Sequence, residues 1–184
     1  MEDYMDFDGV LEKYNPFPED TADREFIDSL KAWLKKVIFQ LAEDDVYVMC
    51  ICFVMGAGED VDIEVCFAYN TESFYRRNRG ERWNFCNWKE DYMDVFDNRV
   101  IQEWLEMKSG FEDETELIEK IADLAVIAVS EINSENIISG RFGRKIPVIM
   151  TDYEYYYMTA IRAVKANGDN VFDREFFEYC GLEL

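Results

Sequence analysis

Ten consecutive residues, Val46 to Met55, carry no charge and are β-branched, aromatic or sulfur-bearing throughout. A strand of that composition is apolar on both faces and belongs near the middle of a sheet, because a strand with one wetted face alternates polar and apolar residues. Gly56 to Asp60 then supplies turn chemistry. Val61 to Tyr69 resumes an extended pattern, in which Val61, Ile63, Val65 and Phe67 alternate with Asp62, Glu64, Cys66 and Ala68. The two segments predict an antiparallel hairpin whose second strand turns part of one face to water.

Around the hairpin the spacing is helical. Phe26, Ile27, Leu30, Trp33, Leu34, Val37, Ile38 and Leu41 recur at three- and four-residue steps, with Thr21 as the expected N-cap. Ile118, Ile121, Leu124, Ala125, Ala128 and Ile132 mark a second long helix, for which Asp113 and Glu116 have capping-box spacing. A shorter helix through Val95, Ile101, Trp104 and Leu105 is expected to start from Asp91 or Asp94, another from Asp152, and a last one lies in the aromatic tail Phe172 to Tyr179. Arg82 to Trp88 alternates bulky and polar groups and reads as a third strand. Ile146 to Met150 reads as a short fourth, at an edge or at a strand start because of Pro147. Residues 1–20, interrupted by Pro16 and Pro18, form an acidic N-terminal arm, and 21–184 form one domain. The fold class is α+β: a mainly antiparallel sheet of about four strands with helices packed against it.

Charge narrows the function. Forty acidic residues stand against 19 basic ones, with no histidine, for a formal charge of −21. Nucleic acids and anionic membranes are repelled by such a surface, and a basic protein is attracted. Without histidine, Ser-His-Asp and Cys-His activation and His-ligated zinc are unavailable. The five cysteines, Cys50, Cys52, Cys66, Cys86 and Cys180, are odd in number and sit in apolar surroundings, which predicts reduced, buried thiols in a cytoplasmic protein. The start lacks the basic and apolar regions of an export signal, and no run is long enough to span a bilayer.

The charge is also uneven. Residues 76–89 hold five bases and one acid, and 136–150 hold three bases and no acid, whereas 1–28, 59–75 and 90–135 are strongly acidic. Glu59, Asp60, Asp62 and Glu64 cluster on the hairpin, and Glu112, Asp113, Glu114 and Glu116 at a helix start, where acids also complement the helix dipole. Tyr153, Tyr155, Tyr156 and Tyr157 cannot all face inward on one helix, so a tyrosine is available as an interface anchor. No catalytic residue, metal ligand or cofactor motif emerges. Cys50 and Cys52 lack the two paired turns of a zinc ribbon, Gly56 and Gly58 lack a third glycine and a following helix, and Gly140 to Lys145 lacks the full phosphate-loop spacing.

The order of these elements, with Arg82 to Trp88 and the Gly143-x-x-Ile146-Pro147-Val148 stretch leading into Asp152, resembles a bacterial family known as domain of unknown function 4303. Domains of that kind occur beside toxin genes, so the resemblance implies an immunity protein that neutralises a cognate toxin. It brings no catalytic residues with it. The reading that follows is a non-enzymatic, cytoplasmic antitoxin whose acidic face covers a basic protein toxin, a nuclease being one such activity. Its contact set is Glu59, Asp60, Asp62, Glu64, Glu112, Asp113 and Glu114, with Tyr155 and Tyr156 as anchors. A carboxylate- and metal-dependent enzyme and a regulatory homo-oligomer remain as alternatives, and the oligomeric state stays open.

Overall fold

The computed structural model describes residues 6–55, 63–108, 111, 114–152 and 156–182. Strands β1 (Val46–Met55), β2 (Ile63–Thr71), β3 (Glu90–Val95) and β4 (Val148–Thr151) form one sheet in the order β3-β2-β1-β4. β1 and β2 are the expected antiparallel hairpin, running from Val46 opposite Thr71 to Met55 opposite Ile63. β4 lies parallel to β1, with Met49 opposite Val148 and Cys52 opposite Thr151, so the sheet is mixed.

Both faces of the sheet are covered, and this corrects the expectation of a partly wetted second strand. Within β2 only Glu64 is half-buried, and the other eight residues are buried. On one face Met49, Ile51, Phe53, Val65 and Phe67 pack against α2 (Thr21–Gln40), α4 (Asn98–Met107) and α5 (Glu114–Ser134). On the other, Cys50, Cys52, Cys66 and Ala68 pack against α7 (Tyr157–Asn167), α8 (Arg174–Tyr179), Trp83 and Trp88. The central strand is therefore apolar on both sides for the reason its sequence implied: Val46 to Phe53 are buried, with packed elements over each face.

Three helices run the length of the sheet in one sense. α2 ends just before β1 begins, and its 20 residues span roughly 30 Å, about the length of that ten-residue strand. Its start therefore lies beside the carboxyl end of β1. At the start of α5, Ile118 and Ala122 adjoin Phe53, Met150 and Thr151, whereas near its end Asn133 Nδ2 donates to Ala166 O at 2.9 Å. α7 follows β4 and returns antiparallel to it. The N-termini of α2, α5 and α7 thus gather at the end of the sheet to which β1, β3 and β4 point.

Several local assignments differ from expectation. Residues 7–13 form a helix, α1 (Phe7–Lys13), capped by Asp6 and seated on α8 through Phe7 and Phe177, whose ring centroids are 5.8 Å apart. Arg82 to Trp88 is turn and 3-10 structure, not a strand. Its alternation of bulky and polar groups arises because Trp83 and Trp88 are buried while Cys86 is exposed. The third strand is β3, which contains the two aspartates expected as caps, and the cap of α4 is Asp97. Asp20, not Thr21, caps α2, and Tyr156, not Asp152, precedes α7. Asp113 and Glu59 to Asp62 lie outside the described residues.

None of the five cysteines is in a disulfide; Cys50, Cys52, Cys66 and Cys180 are buried as expected, whereas Cys86 is exposed because its segment is a surface turn and not a strand. Burial pushes the Cys180 thiol up to about 12, and Cys50 also lies well above its ordinary value. Brief treatment of the native protein with N-ethylmaleimide is therefore expected to modify Cys86 alone. Two or more rapid additions by mass spectrometry would contradict that burial.

Candidate functional site

Three segments singled out by the sequence meet at the carboxyl end of β1. Glu64 stands opposite Val54, one pair from the end of the described hairpin. Glu114 is the first residue of α5, and one turn later Ile118 packs beside Phe53. Beyond Thr151, which pairs with Cys52, the chain passes Asp152 and reaches Tyr156 at the head of α7. Tyr156 is half-buried, and its hydroxyl accepts a hydrogen bond from Arg162 Nη1 at 3.2 Å. Burial raises the pKa of that hydroxyl, the positive charge of Arg162 opposing the effect. Glu59, Asp60, Asp62, Glu112, Asp113 and Tyr155 lie outside the described residues.

Two buried ionic networks support the pole. In the first, Asp23 is wholly buried. Its Oδ1 accepts from Trp104 Nε1 at 3.0 Å and Lys108 Nζ at 2.7 Å, and its Oδ2 from Glu19 N at 2.9 Å and Lys120 Nζ at 3.2 Å. Burial pushes this carboxyl up, but the hydrogen bonds from Lys108, the Glu19 amide, Trp104 and Lys120 outweigh it and hold the group at about 2. In the second, the almost fully buried Arg162 donates through Nε to Asp123 Oδ1 at 3.0 Å, and Tyr14 Oη donates to the same oxygen at 2.6 Å. These networks tie the segment before α2, the loop after α4, α5 and α7 into one rigid end. Between them opens a cleft of about 340 Å³ lined by Glu19, Lys108, Phe111, Glu116, Glu119, Lys120 and Asp123.

The lysines of the cleft are already engaged. Lys108 also binds Asp20 at 2.7 Å, and Lys120 binds Glu19 at 2.7 Å. Three helix N-termini, each a partial positive charge, meet at this pole, so part of its acid complements dipoles. Sequence reasoning missed Asp23, Lys108, Lys120 and Arg162. The one local sign was Asp23 in the first turn of a helix, and its burial depends on Trp104, 81 residues away.

The base-rich stretches occupy the opposite pole. Arg82 Nη2 binds Glu72 at 2.6 Å, at the end of β2, and its guanidinium lies 4.0 Å over the Tyr47 ring. Lys89 binds Glu43, just ahead of β1. Arg141 and Arg144 donate to the carbonyl oxygens of Leu41 and Val46 at 2.7 and 2.6 Å, the former at the C-terminal end of α2, where the helix dipole favours a cation. The base-rich segments therefore lie at the start of β1 and β4, where Glu43, Asp44 and Glu72 pair with their cations, while Glu64 and Glu114, the first residue of α5, lie towards the carboxyl end of β1.

Among the described residues no three His, Cys, Asp or Glu side chains are grouped to hold a metal ion, and no helix is long and apolar enough to cross a membrane. No family model, no curated protein and no solved structure matches the chain, so its functional reading rests on its own residues.

Proposed function

We infer that this chain is a non-enzymatic binding protein of the immunity type, acting in the cytoplasm, whose acidic pole covers a basic protein toxin. What supports this reading is the surplus of acid: 40 acidic side chains stand against 19 basic ones, most of the bases are held in ion pairs within the fold, and the net charge of −21 sets the outward field. Long-range attraction of that sign accelerates encounter with a cationic partner and rejects anionic ones. Glu59, Asp60, Asp62, Glu64 and the α5-start acids Glu112, Asp113 and Glu114 supply the charge. Tyr155 and Tyr156 supply anchoring area that loses little rotamer freedom on binding.

The test is a neutralisation assay. The polypeptide encoded next to this chain is expressed alone and together with it. Growth arrest that co-expression relieves is the expected result, and a harmless neighbour counts against the reading. With the toxin in hand, changing Glu59, Asp60, Asp62 and Glu64 together to lysine is expected to slow association about tenfold or more at low ionic strength and to flatten its salt dependence. Unchanged association would remove the acidic pole from the mechanism.

A further inference from the structure

We propose that the outer edge of β3 is a docking strand, which takes up an extended, lysine-bearing segment of a basic partner as a fifth strand of the sheet. The proposal draws on the functional reading above only for the positive charge of the partner.

A four-stranded sheet has two edges, and here they are treated differently. At β4 the outward-facing groups of Val148 are already used: its N–H donates to Asn167 Oδ1 at 3.0 Å, and its carbonyl accepts from Asn167 Nδ2 at 2.8 Å. A carboxamide from α7 thus imitates a neighbouring strand and closes that edge, and Pro147 just ahead has no N–H to offer. At β3 there is β2 on one side and, among the described residues, no strand on the other. Phe96 N donates to Val65 O at 2.8 Å, so Phe96 and Val65 form a hydrogen-bonded pair. The alternation of an antiparallel ladder then directs Asp94 inward to Phe67, its partner in register. Val95 therefore directs N–H and C=O outward, beside a bulge in the ladder between the Phe67 and Tyr69 pairs. Val95 is 39% exposed, unlike nearly every other residue of the sheet.

The charge of β3 selects the occupant. Its six residues include Glu90, Asp91 and Asp94 and no base. Pairing β3 with β3 of a second copy would oppose those acids to one another, in two molecules that each carry −21, so self-association through this edge is disfavoured. Asp94 is engaged by Trp33 Nε1 at 2.8 Å, so the attraction for the occupant comes from the exposed Glu90 and the net charge of the molecule, and a lysine-bearing strand drawn by that field would also satisfy the outward backbone groups of Val95. Val95 also lies at the acidic pole, close to Glu64, so a chain bound there continues onto the proposed toxin-binding surface.

The probe is a synthetic peptide alternating lysine and valine over seven residues. Its control alternates lysine and proline, with the same charge and no capacity to pair as a strand. With full-length protein, the lysine-valine peptide is expected to bind about tenfold more tightly than the control and to slow hydrogen exchange of the Val95 amide by about tenfold or more. Val95→Pro removes an N–H that the ladder directs away from β2 and is expected to abolish that preference with the thermal midpoint little changed, whereas Val95→Ala retains it. Equal binding of the two peptides would reduce the edge to nonspecific electrostatic adhesion, and no binding of either would leave its acids as a guard against aggregation. A Val95 amide already protected in a dimer of the free protein would equally overturn the proposal. The exchange measurement needs no variant, so it decides the matter even if Val95→Pro unfolds. Failure here leaves the neutralisation assay untouched, and failure of that assay leaves the peptide result standing.

Discussion

Replacing Asp23 with alanine is expected to lower the stability of the protein by about 3–5 kcal/mol, because the change leaves Lys108, Lys120, the Trp104 indole N–H and the Glu19 amide around a buried vacancy. Asp23→Asn keeps an acceptor for Trp104 but withdraws the charge, and should cost less. Urea titration followed by tryptophan fluorescence measures both, since the reporter Trp104 lies in the affected network. A loss below about 1 kcal/mol for Asp23→Ala would mean that the pocket relaxes or admits water at little cost. The same residue sets an acid limit. Its folded pKa of about 2 lies below the ordinary 3.8, so its contribution is complete above that ordinary value and is lost as the pH falls through it towards 2. Glu131, drawn down to about 2 chiefly by its hydrogen bonds from Arg24, loses its contribution in the same window. Stability is therefore expected to fall between about pH 5 and pH 2, and less steeply in Asp23→Asn. Equal slopes in the variant and the parent would remove Asp23 from that acid limit.

Replacing Arg162 with methionine should cost about 3 kcal/mol, because Asp123 then keeps only Tyr14 while the Tyr156 hydroxyl and the Glu119 carbonyl lose a donor. Removing both charges, as Arg162→Met with Asp123→Leu, is expected to recover part of that loss, since an apolar pair of similar volume avoids an uncompensated buried charge. Full additivity of the two single changes in a double-mutant cycle would show that the ion pair is not what couples α5 to α7. The cycle bears on function as well, because Arg162 holds the Tyr156 ring at the acidic pole. Under the proposed function, loss of partner binding in Arg162→Met with the fold retained would identify it as a positioning residue.

Where the sequence was misleading, the cause is physical. Arg82 to Trp88 alternates like a strand, yet Trp83 is held by groups far along the chain, and Trp88 Nε1 donates to the Arg82 carbonyl. Trp83 Nε1 donates to Asp173, its ring centroid lies 4.9 Å from that of Phe176, and Tyr47 Oη donates to the Arg82 carbonyl. An irregular segment pinned by two buried rings leaves the same pattern of large and polar residues as a ladder does. β3 is the converse case. Three acids in six residues have poor strand propensity and good capping chemistry, but Asp94 is used by Trp33 Nε1 at 2.8 Å across the face of the sheet. Of the nominated site, Glu64, Glu114 at the start of α5 and Tyr156 are described and fall at one pole. The buried cations that stiffen this pole left no local trace.

By itself the sequence determined the two long amphipathic helices, the β1–β2 hairpin and the excess of acid, because helical period, strand composition and net charge are set by neighbours within a few turns of chain. The tertiary structure alone decided that β4 runs parallel to β1, that Asn167 closes one edge of the sheet and leaves the other open, and that Asp23 and Arg162 are buried in ion pairs. Each of these depends on groups separated by tens of residues, whose encounter is fixed only when the helices pack on both faces of the sheet, and no local pattern encodes such a meeting.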